Sequence, residues 1–365
     1  MSIGISPSMG KILALTKAGR LNEATQAIRN SLSGADTVPD GETHAPMREA
    51  RRVTQSLPSP KVEPERPAPG STPSPDRPTP ETAGRTIRAR YKSSRGGLDY
   101  ALYVPTGYEG PLPLVVMLHG CTQSAADFER GTRMTDLAQE MGFVVAYPEQ
   151  SASANQQKCW NWFREGDQRR DAGEPALIAG LTRAIIGDYA IDPERVYVAG
   201  LSAGGAAAAI MAATYPDIFA AAGIHSGLAC GSARDLPSAF AAMKGKARKR
   251  TARTASYVPL ITFHGDQDKT VHPDNSAQIH AGFAAAPQLK GLKREVEESA
   301  SPSGRRYRRT SLTDPAGRSY SEDWQIAGAG HAWSGGSADG SYTEPGGPDA
   351  SREMMRFFLQ HRRQG

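Results

Sequence analysis

A serine hydroxyl attacks a carbonyl at neutral pH only when a base takes its proton and a carboxylate orients that base. The pentapeptide Gly200-Leu201-Ser202-Ala203-Gly204 offers such a serine. It lies between the β-branched run Arg195-Val196-Tyr197-Val198-Ala199 and an alanine-rich stretch over residues 205–215, so it reads as strand, tight turn and helix. On that turn the serine takes a strained backbone conformation, and bulk at the flanking glycines would collide with strand and helix. Ser202 is therefore the candidate nucleophile for acyl transfer.

Hydrolases that carry the serine on such an elbow keep the chain order serine, acid, histidine. Downstream, the apolar run Pro259-Leu260-Ile261-Thr262-Phe263 leads into His264-Gly265-Asp266-Gln267-Asp268. An acid just past a strand end suits the role. Asp268 is preferred to Asp266 because it lies further into the turn, which leaves Asp266 as a turn or cap residue. The base is expected to be His331, in the glycine-rich loop Ala327-Gly328-Ala329-Gly330-His331-Ala332-Trp333 after a predicted strand over 320–326. His119, His225, His264, His272 and His280 are expected to be structural, while His44 and His361 lie in a proline-rich segment and at the tail.

Acyl transfer also needs N–H donors for the negative charge that develops on the carbonyl oxygen. The continuous apolar run Leu114-Val115-Val116-Met117-Leu118 predicts a buried parallel strand ending in the turn His119-Gly120-Cys121-Thr122-Gln123. The backbone N–H groups of Cys121 and Ala203 are the proposed oxyanion donors.

These pieces must be positioned by alternating strands and helices. The pattern predicts a leading hairpin around 99–105, strands at 114–118 and 143–147, and one helix over 127–141. It continues with a helix near 175–189, strands at 222–225 and 260–263, a hairpin turn at Asp314-Pro315-Ala316-Gly317, and a final helix over 349–362. Such alternation implies an α/β fold, with a mostly parallel sheet covered by helices on both faces.

Five motifs carry a family resemblance: Leu118-His119-Gly120-Cys121-Thr122-Gln123, Cys159-Trp160-Asn161-Trp162-Phe163, Gly200-Leu201-Ser202-Ala203-Gly204-Gly205, His264-Gly265-Asp266-Gln267-Asp268 and Gly330-His331-Ala332-Trp333-Ser334-Gly335-Gly336. Together they resemble the polyhydroxybutyrate depolymerase family of esterases, from about Thr86 to the end. The resemblance implies an α/β-hydrolase fold with Ser202, Asp268 and His331 as the triad, no cofactor, and a polyester or small ester as substrate. Related feruloyl and acetyl-xylan esterases share similar motifs and form the alternative. Cys121 and Cys159 both sit in family-like motifs and are a candidate disulfide in an oxidising compartment, with Cys230 left as a small buried residue. Trp160 and Trp333 are the candidate substrate-binding residues, as a flat apolar platform if exposed, whereas Trp162 is expected in the core.

The chain has 365 residues, 22% charged and 38% hydrophobic, ordinary values for a globular protein. Eleven of its 27 prolines fall within residues 35–85, which predicts an extended, disordered linker there. Residues 1–34 predict two short helices that need a surface to dock on, whether a partner, a polymer granule or the chain itself. The catalytic domain is expected over 86–365. No signal peptide or membrane span is visible, which by sequence suggests a cytoplasmic protein, although the family resemblance suggests an extracellular one.

A net charge of +5 raises an alternative of another class, a non-catalytic polyanion-binding or scaffold protein. Lys244, Lys246, Arg248, Lys249, Arg250 and Arg253 form one basic cluster, and Arg305, Arg306, Arg308 and Arg309 a second. Only Tyr307 is interleaved as a stacking aromatic, so solvated loops are the expected reading and no nucleic-acid partner is proposed. No Cys and His spacing suggests a metal site.

Overall fold

A computed structural model describes residues 84–246, 258–284 and 291–363. The expected N-terminal helices, the proline-rich linker to residue 83, His44 and the basic residues from 248 to 253 lie outside the described residues.

Ten strands form one sheet: β1 (Arg85–Ser93), β2 (Gly96–Val104), β3 (Leu112–Leu118), β4 (Val144–Glu149), β5 (Ile191–Leu201), β6 (Ala221–His225), β7 (Leu260–Gly265), β8 (Lys293–Ala300), β9 (Arg306–Thr313) and β10 (Ser319–Ile326). Their spatial order is β1-β2-β4-β3-β5-β6-β7-β10-β9-β8. The six strands from β4 to β10 run parallel, and an antiparallel pair closes each edge.

Alternate side chains of β3 explain how both faces are covered. Leu114, Val116 and Leu118 join one core with α3 (Gly173–Asp188) and α4 (Ala203–Thr214) through Ile178, Leu181, Ala206 and Ile210. Val115 and Met117 join the other, with Phe128 of α1 (Ala125–Thr132), Leu137 of α2 (Met134–Met141) and Phe357 of α7 (Ala350–Phe358). A strand buried on both faces must be apolar at every position, which is why this run shows no polar alternation. Helices α5 (Leu236–Met243) and α6 (Asp274–Ala284) flank β7 in the chain.

Two expectations need correction. The leading hairpin turns at Ser94-Arg95, before Gly96 with its φ of 129°, so Asp99 lies inside β2. The helix expected over 127–141 is two, broken at Arg133 in the left-handed region at φ 51°. The residue at the break is neither glycine nor proline, and Gly131 lies two residues before it, inside α1. The carbonyl freed at the end of α1, that of Thr132, accepts from Ser351 Oγ at 2.6 Å, a partner supplied by α7. The turn at 314–317 does join β9 and β10 as an antiparallel pair.

Candidate active site

Ser202 stands between β5 and α4 with φ 58° and ψ −118°. A non-glycine residue there costs on the order of 1–3 kcal/mol and persists only when its surroundings hold it. Here Ser202 N–H donates to the His225 carbonyl at 2.9 Å, and the Ser202 carbonyl accepts from Ala206 N–H at 2.9 Å. The flanking glycines answer to packing. A Cβ on Gly200 would stand 2.6 Å from the Leu118 carbonyl oxygen, and one on Gly204 would stand 1.9 Å from it. Both positions therefore exclude every side chain, and the serine turn seats directly on the end of β3.

The acid and the histidine meet on the neighbouring loops. Asp268, buried after β7, accepts from Thr270 N–H at 2.9 Å and Val271 N–H at 2.8 Å through Oδ1. Its Oδ2 lies 2.7 Å from His331 Nδ1. Burial alone would raise the carboxyl's pKa, but hydrogen bonds from His264 and His331, with that of Val271 N–H, hold it well below the ordinary carboxylate range. An ionised carboxylate only accepts, so His331 donates to it through Nδ1–H, which turns Nε2 away from Asp268. His264 braces the same turn, its Nε2–H donating to the Val271 carbonyl at 2.8 Å. Asp266 does something else: its Oδ1 accepts from Gly328 N–H at 2.7 Å, fastening the acid loop to the histidine loop. A Cβ on Gly265 would stand 2.3 Å from the Ala329 carbonyl, so the two loops also touch backbone to backbone.

The turn after β3 is held from several sides. Cys121 and Cys159 are joined by a disulfide. Trp160 Nε1 donates to the His119 carbonyl at 3.1 Å, and Thr122 N–H donates to the Gln157 carbonyl at 2.6 Å. Burial pushes the His119 pKa below its usual value, so the ring is neutral. Gln150 N–H donates to its Nε2 at 3.0 Å, leaving Nδ1–H to donate to the Gly120 carbonyl at 2.7 Å. In a trans peptide the N–H points opposite to the carbonyl, so this bond directs Cys121 N–H away from His119. Among the described residues, neither Cys121 N–H nor Ala203 N–H has a hydrogen-bond partner. Both are free to bind an oxyanion.

A family model described as "Esterase PHB depolymerase" matches residues 98–292, more than half of the chain. The chain belongs to this esterase family. Poly(3-hydroxyalkanoate) depolymerase C of Paucimonas lemoignei is 33% identical over 255 residues, which cover 67% of this chain and 60% of that protein. Feruloyl esterase B of Neurospora crassa is 36% identical over 128 residues, 35% of this chain and 43% of that protein. The chain thus spans less than two thirds of the length of these relatives. Among solved structures, the acetyl xylan esterase from Aspergillus awamori superposes with a TM-score of 0.58 at 22% identity, over 72% of this chain and 94% of that one. At that identity the likeness shows the fold, and the α/β-hydrolase fold of these esterases is the one observed. The family match contains Cys121, Ser202, Ala203 and Asp268 and ends before His331.

Set against this esterase frame, some expected contacts move. Trp160 and Trp333 are not a substrate platform, since they are 0% and 1% exposed. Their indole N–H groups explain the burial: Trp160 serves the His119 carbonyl, and Trp333 Nε1 donates to Ser351 Oγ at 3.0 Å. Trp162 is buried as expected. His361, at the tail of the chain, is buried too, its carbonyl accepting from Tyr197 Oη at 2.8 Å.

Three of the four arginines of the second basic cluster are paired with glutamates. Arg305 pairs with Glu344, Arg308 with Glu298 and Arg309 with Glu297. Among the described residues no His, Cys, Asp and Glu group is arranged to hold a metal ion, and no helix is long and apolar enough to cross a membrane.

Two residues support these turns, His225, expected to be structural, and Glu174, which the sequence reading missed. His225 is a hub: its carbonyl receives Ser202 N–H, its Nε2 accepts from Ser334 N–H at 3.0 Å, and its ring stacks on Trp333 at 5.2 Å. Burial, with the nearby His264 and His331, pushes its pKa far down and keeps it neutral, as that acceptor role requires. The serine turn and the histidine loop are thereby tied to one residue. Glu174 is the other support, accepting from Asn161 N–H at 2.7 Å, Asn161 Nδ2 at 2.5 Å and Gln150 Nε2 at 2.5 Å beneath the Trp160 loop. Burial, reinforced by Asp167, pushes its pKa up to about 7. No motif marks Glu174, because Gln150, Asn161 and Glu174 converge only in the fold.

Proposed function

We propose that this protein is a serine carboxylester hydrolase working through an acyl-enzyme, with short-chain hydroxyalkanoate polyester or its oligomers as substrate. Ser202 Oγ attacks the ester carbonyl while His331 Nε2 takes its proton, and the Cys121 and Ala203 N–H groups bind the resulting oxyanion. His331 then protonates the leaving alkoxide, which departs as the alcohol. A water molecule, deprotonated by the same nitrogen, attacks the acyl-enzyme, and the acid is freed as His331 returns that proton to the departing Ser202 oxygen. Asp268 holds the tautomer throughout, and no step calls for a cofactor.

The observation that carries the reading is the 2.7 Å contact of Asp268 with His331 Nδ1 on loops fastened beside a strained serine. The substrate follows from the depolymerase relative, which matches two thirds of the chain, against about one third for the feruloyl esterase. The test is hydrolysis by wild type and Ser202→Ala of p-nitrophenyl butyrate, hydroxybutyrate oligomers, polyhydroxybutyrate suspension, methyl ferulate and acetylated xylan. Serine-dependent release from the hydroxybutyrate substrates is expected, with a loss of about 10⁴-fold or more in the variant. Preference for ferulate or acetyl-xylan makes the protein an esterase of those substrates instead. Residual activity of Ser202→Ala within tenfold of wild type overturns the mechanism.

A further inference from the structure

With Trp160, Trp162 and Trp333 buried, the aromatic surface beside the proposed oxyanion donors comes from elsewhere. Tyr342 is 48% exposed, at φ 54°. A bulky side chain in the left-handed region is an outlier, so the surroundings must impose it. They do so from both sides of the site. The Tyr342 carbonyl accepts from Trp333 N–H at 2.7 Å, two residues beyond His331, where β11 (Trp333–Ser334) pairs with β12 (Thr343–Glu344). The preceding residue, Ser341, is fixed to the oxyanion turn: its carbonyl accepts from Gln123 Nε2 at 3.0 Å, and its N–H donates to Asp127 Oδ1 at 3.1 Å. Gln123 is itself buried, and its Oε1 accepts from Gly120 N–H at 2.8 Å.

The ring therefore leaves a backbone anchored to the loop of the proposed base on one side and to the turn of the proposed oxyanion donor on the other. Its hydroxyl reaches Thr122 Oγ1 at 3.4 Å, and that hydroxyl donates in turn to the Cys121 carbonyl at 2.6 Å. An aromatic body left in water while its backbone is rigidly held presents apolar surface at little entropic loss on binding. We infer that Tyr342 is the platform on which the hydroxyester chain adjoining the scissile bond rests, a specificity-determining residue at the mouth of the site. This rests on the hydrolase reading above. It adds that chain length beyond the reacting ester is read by one exposed ring rather than by the tryptophans.

The test compares wild type, Tyr342→Asn and Tyr342→Phe on hydroxybutyrate trimer and on p-nitrophenyl acetate, whose acyl group is too short to reach a platform, with methyl ferulate as a further substrate. Asparagine tolerates the left-handed conformation, so it removes the ring without straining the turn. Tyr342→Asn is expected to lower kcat/KM for the trimer at least tenfold, mainly through KM, while p-nitrophenyl acetate turnover stays within twofold. Tyr342→Phe, keeping the ring, is expected within threefold on both. Equal losses on both substrates, a trimer rate within twofold, or no trimer hydrolysis by wild type overturns the proposal. So does a loss confined to methyl ferulate, which would make the ring a site for an aromatic acyl group. Failure of the hydrolase reading shows separately, as p-nitrophenyl acetate turnover that survives Ser202→Ala.

Discussion

Backbone meets backbone around Ser202, whereas at the far edge of the sheet the strands meet water. At the site, Gly200, Gly204 and Gly265 each stand where a Cβ would fall within 2.6 Å of a neighbouring main chain. Along β8 every residue is exposed, and what lies across it is charge against charge, Arg308 to Glu298 and Arg309 to Glu297. The first arrangement permits almost no variation in residue type, and the second tolerates much. Close packing writes itself into sequence as glycines at set intervals, while a solvated strand writes only a bias in charge. The same bias raised a polyanion surface as an alternative and solvated loops as the expected reading, whereas Arg308 and Arg309 lie on a strand opposite glutamates.

The contrast can be broken from either side. Asp268→Asn should lower kcat by about 10³- to 10⁴-fold in steady-state ester hydrolysis, by allowing the wrong histidine tautomer. Asp266→Asn, which can still accept from Gly328 N–H, should stay within tenfold. If the larger loss follows Asp266, the acid is misassigned. Gly204→Ala should cost several kcal/mol in urea unfolding or prevent folding, because its methyl would stand 1.9 Å from the Leu118 carbonyl oxygen and neither backbone has room to yield. A midpoint close to wild type would mean the serine turn is looser than its contacts imply. At the other end of the scale, Arg308→Ala should shift stability by no more than about 0.5–1 kcal/mol, since the pair is exposed and screened by solvent. A larger loss in the same unfolding experiment would make the outer strands part of the cooperative core.

Legibility followed the same physics. The choice of Asp268 over Asp266 rested on distance into the turn, and the structure places Asp268 against His331 and Asp266 against the histidine loop. The break at Arg133 was unreadable because its stabilising partner, Ser351, lies 219 residues away from Thr132. Trp160 and Trp333 were misread because an aromatic beside a catalytic motif serves equally as a platform or as core. The difference lies in whether the indole N–H finds a buried acceptor, as both do here. Tyr342 passed unnoticed for the converse reason: nothing local to its sequence shows that Trp333 and Gln123 converge on its segment.

By itself the sequence determined the strand and helix alternation, the elbow glycines, and the order of serine, acid and histidine along the chain. These are local requirements, set by backbone space and by the period of apolar residues, and neighbouring residues suffice to express them. Only the tertiary structure decided which aromatics are buried, which arginines are neutralised, and how His119, His225 and Glu174 hold the turns in place. Burial and pairing depend on groups brought together across the sheet, so they exist only once the chain has folded.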